Sequence, residues 1–124
     1  MRRWLERFVV LFGVVCCGIG LTHIVFGPRS IPGSVPVNAT MDSEDRFYAT
    51  LFVGFGGALI WCARALDARA GVFRALMAVF FASGVSRIIS AIAVGPPGAL
   101  FIVLGGLELA LPPLLLLWLR ETRA

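Results

Sequence analysis

The stretch from Phe8 to Phe26, FVVLFGVVCCGIGLTHIVF, contains no Asp, Glu, Lys or Arg. As a helix rising 1.5 Å per residue it measures about 28 Å, close to the hydrocarbon thickness of about 30 Å. It follows Arg2, Arg3 and Arg7, a flank that also suits a signal peptide. No small-residue cleavage site follows, however, and the apolar run is longer than a usual signal core, so the expectation is a retained membrane anchor.

The whole chain reads the same way. Its 124 residues make one domain, and 59% of them are hydrophobic, with a mean hydropathy of +0.92. A soluble core of this size cannot hide that much apolar surface, so the solvent is lipid. The net charge of +4 comes from Arg alone, since the chain has no Lys. Those Arg stand at the ends of apolar runs rather than in a patch interleaved with aromatics, which argues against a nucleic-acid partner. Cys16, Cys17 and Cys62 lie inside apolar segments without redox, zinc or haem-attachment spacing, and are expected to be reduced packing residues.

Working outward from the first span, Gly27 to Asp45 is expected to be the one sizeable aqueous loop, because Pro28, Pro32 and Pro36 break helices. Asn38-Ala39-Thr40 within it is a formal glycosylation sequon. A second span is expected over 47–63, with Asp42, Ser43, Glu44 and Asp45 supplying its N-cap and a negative charge at the positive end of its dipole. A short basic turn leads to a third span over 75–94, which Gly95-Pro96-Pro97-Gly98 ends in a tight hairpin. The fourth, over 99–119, carries Pro112-Pro113, expected to kink it.

The expected fold is therefore all-α, a four-helix transmembrane bundle running up-down-up-down. Arg2, Arg3, Arg7, Arg64, Arg69, Arg74, Arg120 and Arg123 fall on one side, against Arg29 and Arg46 on the other. The positive-inside rule puts both termini in the cytoplasm, and Trp4, Trp61 and Trp118 form an interfacial belt on that same side. The two hairpins share no internal repeat, so a transporter built by duplication is not indicated.

Two ionisable residues sit deep in apolar spans, where each costs about 2.5 to 3.5 kcal/mol. Arg87 lies about 10 Å from the outer end of the third span and Glu108 about 15 Å into the fourth. The short hairpin makes these helices antiparallel neighbours, so the two are expected to form an ion pair. Ser83 and Ser90 share a helical face with Arg87 and are expected to take its remaining donors. One reading is that the pair only glues two helices in register. The other is that Arg87, Glu108, Ser83 and Ser90 line a ligand site open to the outer leaflet, where a forked, permanently charged donor suits carboxylate or phosphate.

His23, the single histidine, shares a side of its helix with the small residues Gly13, Cys16, Cys17 and Gly20, and is expected to point inward. It reads first as a hydrogen-bonded interfacial residue, and second as a ligand-site or proton-relay partner of Glu108. No catalytic set, metal ligand cluster or cofactor motif is present, so no cofactor is expected. Thr50, Gly54, Gly57 and Ala58 form a second small stripe, expected to pack against a neighbouring helix. Asp45 and Arg46 are expected to be capping and surface charges, with the alternative that they rim the same cavity.

Asp45-Arg46-Phe47-Tyr48 opening the second helix, Arg87 with Ser90 and then Gly95-Pro96 in the third, and Leu107-Glu108 in the fourth together resemble the pattern of a bacterial family of small four-helix membrane proteins classed as a domain of unknown function. More loosely the architecture is similar to the DoxX-like membrane proteins, although no redox residue set matches. The resemblance covers nearly the whole chain. It implies a multi-pass protein of the bacterial inner (plasma) membrane and supplies no reaction.

Three functional classes follow. The first is an accessory or self-associating membrane component whose partners are membrane lipids and a homo-oligomer or larger complex. The second is a binder or minor transporter of a lipid-like or small organic ligand. An enzyme ranks last, because Glu108 with His23 would still lack a nucleophile, metal or cofactor handle.

Overall fold

The computed structural model describes residues 1–122, so Arg123, counted above for orientation, lies outside the described residues. The architecture is all-α: α1 over Arg2–Phe26, α2 over Ala39–Ala63, α3 over Ala70–Val94 and α4 over Ala99–Thr122. A single 3-10 turn, Gly27–Ser30, follows α1. Each of the four helices is long and apolar enough to cross a membrane, and the chain is a small multi-pass membrane protein. In lipid every backbone N–H and C=O must be satisfied within its own segment, which is why an apolar chain of this composition resolves into helices.

The chain forms two compact units, Glu6–Ala65, which holds most of α1 with α2, and Met1–Leu5 with Leu66–Ala124, which holds α3 and α4. In the first unit, helix contact is made by small residues. A methyl group at Gly13 would stand 2.6 Å from the Gly56 carbonyl oxygen, and one at Gly20 would stand 2.8 Å from that of Ala49. The α1 stripe of Gly13, Cys17 and Gly20 thus packs as expected. Its counterpart on α2 does not, because Gly54 and Gly57 face open space. The contacting face is instead Ala49, Val53, Gly56 and Ile60, at helical spacings of four, three and four. Cys16 and Cys17 are free thiols.

In the second unit, Arg2 donates to Asp67 at 3.0 Å, tying the first residues of the chain to the turn before α3. The helix of α4 continues through Pro112-Pro113.

The start of α2 differs from expectation. The helix begins at Ala39, inside the segment expected to be loop up to Asp45, and its N-cap is Asn38, whose Oδ1 accepts from the Met41 amide at 2.9 Å. Asp42 through Asp45 are therefore helical rather than capping. The apolar run begins only at Phe47, but a helix needs a cap and not a hydrophobic residue to start, and Asn38 is a strong cap.

Burial is uneven along both units. The buried residues Val9, Leu59 and Cys62 of the first, and Leu66, Phe73, Met77, Leu115 and Leu119 of the second, all lie toward the helix ends remote from the Gly27–Asn38 and Gly95–Gly98 connections. Toward those connections the helices bury few apolar side chains, and polar contacts join them instead.

Candidate functional site

In the α3–α4 unit the expected ion pair forms. The Arg87 Nε donates to Glu108 Oε1 at 2.7 Å. Two glycines let the helices come close enough for this. A methyl group at Gly84, one turn before Arg87, would stand 3.1 Å from the Cβ of Glu108 and 2.9 Å from Leu109. One at Gly105, one turn before Glu108, would meet the stem of Arg87 at 3.4 Å. Each charged side chain therefore lies over a glycine of the opposite helix. The sequence reading missed these two glycines, although their position three residues before each charge was the available signal.

The partners are unequally covered. The Glu108 side chain is 9% exposed and that of Arg87 40%. A guanidinium has five N–H donors. Glu108 takes the one on Nε, and among the described residues the two terminal nitrogens of Arg87 have no hydrogen-bond partner.

The serines do not complete a network. Ser83 Oγ donates back to the Phe80 carbonyl, one turn earlier on its own helix. Ser90 is exposed, and neither serine bonds the guanidinium among the described residues. A serine hydroxyl in an apolar helix finds its own backbone carbonyl at no conformational cost, which outcompetes a side chain on the same face.

His23 meets a carboxylate of α2. Its Nδ1 lies 3.1 and 3.2 Å from the two Asp45 oxygens, with both side chains about four-fifths covered. The distances fit an Nδ1–H donor held by the carboxylate. His23 and Asp45 thus bridge the ends of α1 and α2, as the hydrogen-bonded interfacial reading of His23 expects.

Asp45 and Arg46 are likewise more than surface charges. Arg46 Nη1 donates to the Ile24 carbonyl at 2.7 Å, while Nε donates to Asp42 at 2.8 Å. The last carbonyls of α1 have no intrahelical donor, and a cation there also meets the negative end of the helix dipole. Gly27, at φ +70°, closes the helix in the left-handed conformation. A methyl group there would stand 2.7 Å from Arg46 Nη2. Adjacent residues of α2 thus hold α1 twice, Asp45 through a side chain and Arg46 through the backbone.

No group of three or more His, Cys, Asp or Glu residues at metal-holding distance occurs among the described residues. What the chain offers chemically is one half-covered guanidinium on a buried carboxylate, and one imidazole oriented by another.

Comparison with curated proteins and with solved structures found no match, and nothing bears out the looser DoxX-like resemblance. The model of one family, described as a domain of unknown function (DUF4345), matches residues 5–119. That span holds α2 and α3 whole, nearly all of α1 and α4, and the Arg87–Glu108 and His23–Asp45 pairs, and the chain belongs to this family.

Proposed function

We propose that the protein is an accessory or self-associating membrane component, in which the Arg87–Glu108 pair locks α3 to α4 and the outward edge of Arg87 engages a neighbouring protein within the bilayer. The unequal burial of the pair carries this reading. Glu108 is covered and answered, whereas the terminal nitrogens of a 40% exposed Arg87 face outward from a helix of apolar residues. An N–H group left against hydrocarbon costs several kcal/mol, so the arrangement calls for acceptors from outside the hairpin. A carbonyl or carboxylate on an adjacent chain supplies them, and the exposed Ser90 adds a hydroxyl one turn away on the same face.

The same exposed fork supports a second reading, a binder or minor transporter of a lipid-like or small organic anion, since Arg matches carboxylate and phosphate in a bidentate manner. One experiment separates the two. Arg87→Leu with Glu108→Leu removes both charges at once, leaving no orphan. Native mass spectrometry in mild detergent is expected to show loss of the oligomer or partner complex while the monomer keeps its helix content. An unchanged oligomer overturns the association reading, and loss of a copurifying lipid with the oligomer intact favours the second.

A further inference from the structure

The connection between α1 and α2 forms an open groove of about 530 Å³. It belongs wholly to the first unit and is separate from Arg87. Phe26, Val35 and Val37 give it an exposed apolar wall. Its charged lining is Arg29, Arg46 and Asp42.

These charges are not equivalent. Arg46 is committed to Asp42 and to the α1 carbonyls. Arg29 forms no ion pair among the described residues, and its guanidinium carbon rests 5.4 Å from the centre of the Phe26 ring. Stacking on an aromatic face leaves the in-plane N–H donors of an arginine free. Two arginines against one aspartate leave one positive charge, and Arg29 carries it.

The groove is also held in shape. The Ile31 amide donates to the Pro28 carbonyl at 2.9 Å, the Ser34 amide to the Ile31 carbonyl at 3.0 Å, and Ser30 Oγ to the Gly27 carbonyl at 2.8 Å. A preorganised site loses little ordering entropy on binding.

We propose that this groove binds the phosphodiester headgroup of an anionic membrane phospholipid, with Arg29 on the phosphate and the Phe26–Val35–Val37 wall against the glycerol and first acyl carbons. The groove sits where two membrane-crossing helices end, and it joins one unpaired cation to an apolar wall. A phosphodiester carries one negative charge next to apolar carbon, which satisfies both parts. A free inorganic anion would leave the wall wet.

The test uses the full chain in nanodiscs of phosphatidylcholine containing phosphatidylglycerol, with bound lipid counted by native mass spectrometry. Wild type is expected to retain phosphatidylglycerol selectively, and Arg29→Gln to weaken that retention roughly tenfold, the loss of one charge-assisted contact. Arg29→Lys keeps the charge and is expected to recover part of it. Should Arg29→Gln impair folding, Val35→Asp places a carboxylate in the apolar wall and is expected to expel the lipid. Equal retention by wild type and Arg29→Gln overturns the proposal. So does displacement by inorganic phosphate at matched concentration, or equal binding of the two lipids. The oligomer seen in the same spectra reports on the Arg87 reading independently.

Discussion

Arg87 and Glu108 each tolerate an apolar span because the other is there, so removing one is worse than removing both. Glu108→Leu leaves a cation with no counter-charge and is expected to cost about 2 to 4 kcal/mol. The double change to leucine is expected to recover most of that loss, as a double-mutant cycle in thermal or denaturant unfolding in detergent would show. The Arg46 anchor gives a smaller effect. Arg46→Met keeps the length of the side chain but withdraws the donor from the Ile24 carbonyl, and is expected to lower the melting temperature slightly. Amide hydrogen exchange would then rise in the last turn of α1, where that carbonyl belongs. At this scale the ion pair was legible in the sequence, because a four-residue hairpin leaves two opposite charges inside apolar spans nowhere else to go. The partners of His23 and Arg46 were not legible, since both depend on how far α2 extends.

That extension belongs to the elements. An apolar run locates the part of a helix that meets lipid and says nothing of polar turns beyond it. Asn38 starts α2 two turns before Phe47, bringing Asp42, Asp45 and Arg46 onto a helix that already lies beside α1. The contacting face of α2 was misassigned for a related reason. Gly54 and Gly57 look like a packing stripe by composition, yet the orientation of α2 is set by Asp45 on His23 and Arg46 on Ile24, which turns Ala49, Val53 and Gly56 inward. A pair of substitutions separates the faces. Gly56→Ala would bring a methyl group 2.5 Å from the Gly13 carbonyl, which cannot yield without moving the helix, and is expected to lower stability by about 1 to 3 kcal/mol. Gly57→Ala meets nothing and is expected to leave the melting temperature unchanged or raise it, since alanine stabilises an exposed helical position by about 0.5 to 1 kcal/mol. Equal destabilisation by both would contradict the described packing.

For the whole molecule, the distribution of arginine predicts that both termini lie in the cytoplasm. Reporter fusions at the amino and carboxyl ends are expected to be active only in the form that works in the cytoplasm, and a fusion at Ser34 only in the form that works outside. Arg64, Arg69 and Arg74 carry part of this prediction, so replacing those three by Gln is expected to weaken the bias measurably. Within each unit the buried apolar residues lie toward the helix ends remote from the connection, and the polar contacts lie toward it.

Pro112-Pro113 lies one turn beyond Glu108 and leaves that residue with a second demand. A proline has no amide hydrogen, so the main-chain oxygens of Glu108 and Leu109 lose the donors that would ordinarily come from four residues later. An isotope-edited infrared band from the Glu108 carbonyl should consequently vibrate at higher frequency than one from Leu104, whose donor at Glu108 is intact. Water entering the bilayer to reach that oxygen would arrive beside the buried carboxylate, giving α4 a point of hydration midway through its apolar length.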